Sequence, residues 1–369
     1  MTERGTCSRW LHVMPTKAVI LAHAGGAGPG GAAGKQPTGL PAAPLLSVAN
    51  RALLRHALDW LAAAGIRRAV VVVSRAAAKE ARNVADHGGQ PIAIDWLEQV
   101  PGEPLADTLT VADDFLEGEP FVLHLADSLA KHGLRSLINE GPATDLDALL
   151  LVHKEDSPEA KGVIDLRLHL ERAQPRFRVR RGAPAGVAIM GARALQAAAA
   201  LDPCRGRGLE DLADRLLELG GRVRTRRVRE WWRYRGGAAA LLEGNRFALE
   251  ALRPDYERAT LVDSDIQGAV VAHATARIES SVVRGPAVIG PGADVRSAYV
   301  GPYTSIGEKV MIEGAEIEHS VVLAGASIKH LGGRLEASVV GREAKVFRDF
   351  RLPRALRLQV GEGAKVSLA

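Results

Sequence analysis

The residues best suited to chemistry lie between Lys17 and Val48, where an apolar run meets a glycine loop almost without cations. Ala18-Val19-Ile20-Leu21 reads as a buried strand. It runs into Ala24-Gly25-Gly26-Ala27-Gly28-Pro29-Gly30-Gly31 and then Pro41-Ala42-Ala43-Pro44-Leu45-Leu46-Ser47-Val48. Glycines after a first strand let backbone N–H groups approach phosphate oxygens. Phosphoryl chemistry adds Arg or Lys, which neutralise charge that builds up in the transition state. Between Ala22 and Val48 the only permanent cation is Lys35. Such a site either binds a phosphate without the usual chemistry or does that chemistry differently.

The elements that would hold this loop alternate in type. Arg51–Ala64, Arg75–Asp86 and Thr108–Phe115 read as helices, and Ala69–Ser74, Pro91–Trp96 and Phe121–Leu125 as strands. Strands separated by helices of this length imply a parallel sheet with right-handed crossovers. Ligands of such sheets sit beyond the C-terminal strand ends, which brings Asp127 to the same edge as the glycine loop. Asp127 has a plainer reading as a carboxylate capping the next helix. Further strands are expected at Asp147–Val152, Gly162–Asp165, Phe177–Val179, Val187–Met190 and Arg222–Val228, with helices at Leu209–Leu219 and Ala238–Ala251.

From about Leu261 the texture changes. Ile266, Val271, Ile278, Val283, Ile289, Val295, Val300, Ile306, Ile312, Ile317, Val322 and Ile328 recur at steps of mostly six residues. That period suits neither a helix nor a simple strand; it marks a hexapeptide β-helix whose stacked coils bury an aliphatic column. The expected organisation is a flexible extension over 1–15 (with Met1 or Met14 as the start), an α/β domain over 16–254 and a β-helix domain over 255–369. Arg334–Val346 continues the repeat loosely, and Ala355–Val366 reads as a cap.

Composition narrows the function classes. The 369 residues are 47% apolar and 25% charged, ordinary for a globular chain long enough for two cores. No apolar run is long enough to span a membrane and no secretory leader is evident, and two cysteines, Cys7 and Cys204, fit a reducing cytoplasm. Arginines cluster at Arg176, Arg178, Arg180 and Arg181 and again from Arg222 to Arg229, but aromatics make up only 4% of the chain. With so little to stack on bases, phosphate-bearing small ligands are better partners than nucleic acid. His124, His132 and His153 lack metal-ligand spacing and read as packing residues.

These motifs together resemble the sugar-1-phosphate nucleotidyltransferases, in particular the long form of glucose-1-phosphate thymidylyltransferase. The family pattern Leu-Ala-Gly-Gly-x-Gly-Thr-Arg-Leu, then Pro-Lys-x-Leu-x-Pro-Val, corresponds to the loop above. Gly25-Gly26-Ala27-Gly28 is kept, with His23 and Ala24 inserted, Pro29-Gly30 in place of Thr-Arg, and Ala43 (or Ala42, depending on one gap) in place of the lysine. Leu-Gly-Asp-Asn corresponds to Leu125-Ala126-Asp127-Ser128, Glu-Lys-Pro to Glu171-Arg172-Ala173, and Val-Gly-x-Tyr to Ala185-Gly186-Val187-Ala188. Trp-Trp-x-Asp-Thr-Gly corresponds to Trp231-Trp232-Arg233-Tyr234-Arg235-Gly236, and Leu-Leu-x-Ala-Asn-Arg to Leu241-Leu242-Glu243-Gly244-Asn245-Arg246. Ser297–Tyr303 and Glu316–Ser320 are similar to the long form's β-helix.

The resemblance implies a Rossmann-like, mainly parallel GT-A-type sheet followed by a left-handed hexapeptide-repeat β-helix, with self-association. It also implies attack of a sugar 1-phosphate on the α-phosphorus of a nucleoside triphosphate with Mg²⁺. Carried over by position, Gly25, Gly26 and Gly28 would bind the nucleotide, with Gln99 or Glu98 near its base, Glu171, Arg172 and Gly186 would bind the sugar, and Asp127 the metal. The family's Arg, Lys and second Asp fall on Gly30, Ala43 and Tyr234, leaving Lys35 or Arg233 as replacement cations. Three functions follow. The first is a homologue that keeps a nucleotide or sugar-nucleotide pocket but has lost or weakened pyrophosphorylase activity, and acts by regulation or by assembling with a protein partner. The second is an active enzyme for an unusual sugar-like 1-phosphate. The third is an enzyme of another class on the same scaffold, for which His319 and His330 are the late candidates for acyl transfer.

Overall fold

The computed structural model describes residues 15–22, 42–86, 92–99, 105–131, 133–135, 146–153, 183–201, 208–348 and 350. The glycine loop, Gly30, Lys35, Glu171, Arg172, the strands expected at Gly162–Asp165 and Phe177–Val179, and the two ends of the chain lie outside these. Contacts divide the chain into two compact units, one built on Leu53–Arg233 with Ala42–Leu45, the other on Leu46–Ala52 and the residues from Tyr234 on.

In the first unit the apolar runs pair into one sheet. Its strands are β1 (Lys17–Ala22), β2 (Arg68–Ser74), β3 (Ala93–Gln99), β4 (Phe121–His124), β6 (Ala148–His153), β7 (Ala183–Met190) and β8 (Val223–Val228). A further pair, β5 (Ser128–Ala130) and β9 (Trp231–Arg233), forms a separate two-stranded ribbon. The sheet order is β8-β6-β7-β4-β1-β2-β3. All neighbours are parallel except β7, which runs antiparallel to both β4 and β6.

Alternation along β1 explains why it lies at the centre. Ala18, Ile20 and Ala22 face one layer with Leu54, Leu58 and Leu61 of α1 (Leu53–Ala63) and Ala81 of α2 (Ala78–Asp86). Val19 and Leu21 face the other, with Leu109 of α3 (Leu105–Val111), Leu195 of α5 (Arg193–Ala199) and Leu212 of α6 (Leu209–Glu218). The helix expected over Thr108–Phe115 is broken into α3 and α4 (Asp113–Leu116). A strand covered on both faces reads as an unbroken apolar run, as this one does.

In the second unit the six-residue period becomes a three-sided parallel β-helix. One side stacks Leu261, Ile278, Val295, Ile312, Ile328 and Val346 in register, steps of 16 to 18 residues that make one coil. The other two sides stack Ile266, Val283, Val300, Ile317 and Leu335, and Ala272, Ile289, Ile306, Val322 and Val340. The inward residue of the first coil on this last side is therefore Ala272, not the expected Val271, because Val270 and Ala272 both point into the column. The loose continuation after Arg334 is a further coil. Corners where coils touch need glycine: a Cβ on Gly290 would lie 2.7 Å from the Gly307 backbone.

Helix α7 (Gly237–Leu249) belongs to this second unit by its contacts, packing Leu242 on Val321 and Leu323. The boundary expected near Pro254 follows this helix in the chain; the contact division precedes it. Its Asn245 is fully buried and explains the Leu-Leu-x-Gly-Asn-Arg motif. Oδ1 accepts from Ala49 N–H at 2.9 Å and from the Ser305 hydroxyl at 2.6 Å, while Nδ2 donates to the Tyr303 carbonyl at 3.1 Å. Ala49 and Asn50 both have positive φ, 48° and 61°, as the two central residues of a tight hairpin between Ser47–Val48 and Arg51–Ala52. Asn245→Leu would strand a backbone N–H, a carbonyl and a hydroxyl in a buried site. We expect a loss of about 2–4 kcal/mol in denaturant-measured stability.

Candidate functional site

The C-terminal ends of β1 and β4 define the edge where ligands of such sheets bind. Asp127 lies there, but in the turn Leu125-Ala126-Asp127 that joins β4 to β5, not at the start of a helix; the capping role does not apply. Ala126 holds a positive φ of 51° and is completely buried. Its N–H donates to Nδ1 of His124 at 2.8 Å, which fixes the turn and puts the ring proton on Nε2. His124 is wedged edge-on against Trp60, and burial, helped by the Arg233 charge, lowers its pKa to about 3.

The ribbon decides what Asp127 meets. β9 runs antiparallel to β5, with Arg233 opposite Ser128, Trp232 opposite Leu129 and Trp231 opposite Ala130. Trp231 sets the start of β9 by stacking edge-on against Trp60 and donating Nε1–H to the Ala185 carbonyl at 2.9 Å. Arg233 then delivers Nε to Asp127 Oδ2 at 2.8 Å and Nη1 to the Pro184 carbonyl at 3.3 Å. The pair is inside the protein: the Asp127 side chain is 8% exposed and that of Arg233 17%. Burial pushes the Asp127 carboxyl above its ordinary range, while the charge and hydrogen bond of Arg233 pull it back. Glu210, near the N-terminus of α6, behaves alike: burial raises it, and its own backbone hydrogen bond and Arg233 oppose the rise. Asp211 accepts from the Gly208 N–H at 3.1 Å and so starts α6.

Gly186, expected at the sugar, sits against this pair. Its φ is +79°, and a Cβ there would lie 2.9 Å from Asp127 Oδ1 and 3.3 Å from Arg233 Nε. Only glycine fits both the backbone and the space. Gln99 ends β3, where its Oε1 accepts from the Thr108 hydroxyl at 2.6 Å. Among the described residues, Gln99 Nε2 and Asp127 Oδ1 are buried without a hydrogen-bond partner. Ala43 lies in a single 3₁₀ turn over Ala43–Leu45, and Tyr234 is buried. The site thus gathers Asp127, Arg233, Gly186 and Glu210. Glu210 as a second acid under the Arg233 charge was not separable in sequence from an ordinary helix-start acid.

The residues present do not fit the divalent cation that the family resemblance implies. One oxygen of Asp127, the carboxylate that the resemblance would place on the metal, is taken by a guanidinium, the position of the second carboxylate by that resemblance is Tyr234, and no group of three His, Cys, Asp or Glu among the described residues could enclose an ion. Octahedral sites of this kind need several free oxygen donors. Asp127 Oδ1 and the Glu210 carboxylate do not make up that set among the described residues.

Two outcomes follow from the turn. The depressed His124 stabilises the fold fully above its unfolded value near 6.5, and that contribution is lost as pH falls from there toward about 3, because the unfolded chain takes the proton first. His124→Asn keeps an acceptor for the Ala126 N–H and should flatten the stability slope across this window in denaturation measured from pH 8 to 4. Ala126 carries a left-handed conformation that costs an L-residue about 1–2 kcal/mol. Ala126→Gly should therefore raise stability by about 1 kcal/mol in thermal or urea unfolding.

No protein-family profile matches the chain. Comparison with curated proteins finds a glucose-1-phosphate thymidylyltransferase of Streptomyces griseus, 31% identical over 334 residues, covering 88% of this chain and 93% of the relative. One of Streptomyces antibioticus is 30% identical over 335 residues, with the same coverage. A low-salt glycan biosynthesis nucleotidyltransferase of Haloferax volcanii is 30% identical over 338 residues. Among solved structures, a Bacillus anthracis chain described as a glucose-1-phosphate thymidylyltransferase superposes with a TM-score of 0.51 at 18% identity, over 62% of this chain and 93% of that one, a likeness of fold. Identity at this level along nearly the whole length of the relatives, on a mixed sheet followed by a β-helix, places the chain in the sugar-1-phosphate nucleotidyltransferase family with the glucose-1-phosphate thymidylyltransferases.

Proposed function

We propose that this family member keeps a pocket for a nucleotide or nucleotide sugar and has lost most of the family's pyrophosphorylase activity. The observation that carries the reading is the Arg233–Asp127 ion pair at 2.8 Å, which engages the carboxylate that the chemistry would use. The substitutions support it. Ala43 and Tyr234 stand where the family resemblance expects a lysine on the phosphates and a second acid. Such chemistry is mostly positioning and charge neutralisation, so these losses remove its main source of rate. The retained pocket is supported by Gln99 Nε2 and Asp127 Oδ1, buried polar atoms that a ligand at the sheet edge would satisfy. Among the described residues no helix is long and apolar enough to cross a membrane. A cytoplasmic protein that self-associates is the setting we infer from the family.

The test is pyrophosphate release from dTTP or UTP and glucose 1-phosphate with Mg²⁺. Turnover should fall at least about 10³-fold below that of the Streptomyces griseus relative assayed alongside, since even one lost charge-stabilising group costs about 10²–10³. Restoring the charges with Gly30→Arg, Ala43→Lys and Tyr234→Asp, and freeing Asp127 with Arg233→Ala in the same chain, should raise the rate. Ordinary turnover by the natural chain, abolished by Asp127→Ala, would overturn the reading.

A further inference from the structure

We propose that the Arg233 guanidinium takes the place of the divalent cation in this site, so that the chain holds the diphosphate of its ligand without a metal. This rests on the reading above that the pocket accepts a nucleotide or nucleotide sugar, and it specifies how the charge of that ligand is met.

Three features make the guanidinium a built part of the site. Its backbone is set by the β5–β9 register, which puts Arg233 opposite Ser128, next in the chain to Asp127. Its head is fixed at two points, Nε on Asp127 Oδ2 and Nη1 on the Pro184 carbonyl. Gly186 leaves the space the pair needs, since a Cβ there would crowd both Asp127 Oδ1 and Arg233 Nε. A side chain placed by strand register and held by two acceptors is fixed against the carboxylate that an ion would need.

Charge gives the same answer. A divalent ion approaching Asp127 meets a permanent positive charge already hydrogen-bonded to one of its oxygens. The guanidinium can perform the electrostatic half of a metal's work. It balances Asp127, and 17% of its side chain remains exposed. Arg donors match phosphate oxygens in pairs, so a guanidinium can hold a diphosphate where one coordinating carboxylate could not. It cannot polarise an attacking and a leaving oxygen together as a metal can, in keeping with binding outlasting turnover.

Two measurements on the full chain decide it. Manganese titration followed by electron paramagnetic resonance should show no stoichiometric Mn²⁺ site in the natural protein. Arg233→Gln with Tyr234→Asp should create one, and Asp127→Asn in that background should remove it. Arg233→Lys, which keeps the charge with little change of volume, should leave Mn²⁺ unbound and serves if the double variant does not fold. Calorimetric titration with dTDP-glucose should give the same Kd in EDTA and in MgCl₂. Arg233→Gln should weaken it by roughly ten- to a hundredfold, the worth of a charged hydrogen bond. Stoichiometric Mn²⁺ binding by the natural chain that Asp127→Asn abolishes, or dTDP-glucose binding that requires Mg²⁺, overturns the proposal. If dTDP-glucose binds under neither condition, the pocket reading and the ligand half of this proposal both fail, and the manganese arm still decides whether Arg233 excludes the ion.

Discussion

The pairing of β9 with β5 is the constraint on which the site depends. Two segments about a hundred residues apart in the chain lie antiparallel with Arg233 opposite Ser128, and this register brings a guanidinium to the carboxylate that follows β4. A slip of one residue would send Arg233 to the other face of the ribbon and leave Asp127 buried without a counter-charge. An isolated buried carboxylate is costly, so the ribbon and the ion pair support one another. Trp231 pins the start of β9 through Trp60 and the Ala185 carbonyl, and Gly186 leaves room at its end. Family membership and this ion pair are thus compatible: the mixed sheet and the β-helix are both present, while a cation stands against Asp127.

The same economy is seen in the turn before Asp127. A buried alanine in a left-handed conformation and a histidine that must stay neutral are both unfavourable alone. They persist because the His124 ring accepts the Ala126 N–H and fills the space against Trp60. Strain kept at a strand end is common where a side chain must be aimed, and here the aimed group is Asp127.

The second unit rests on a different constraint, the repetition of one aliphatic residue per side per coil. Its regularity made it legible: a period of six survives single irregularities because each ladder supplies its own register. Ala272 in place of Val271 shows the limit of such reading. When consecutive apolar residues occupy one strand, periodicity cannot tell which of them faces in. Asn245 illustrates the reverse case. Its motif was visible, but its role as a hub for the Ala49 N–H, Ser305 and the Tyr303 carbonyl depends on residues far away in sequence.

By itself, the order of residues determined the central parallel strands, the stacked coil and the motifs by which the chain resembles its family. These follow from local patterns of burial and from motifs short enough to read directly. Tertiary structure alone decided that Arg233 pairs with Asp127, that Gly186 is glycine because of that pair, that His124 is held neutral and that Asn245 secures a hairpin. Each of these arises between residues remote in sequence, or from burial that only the packed sheet creates, and hydrogen bonds and desolvation act through distance in space rather than along the chain.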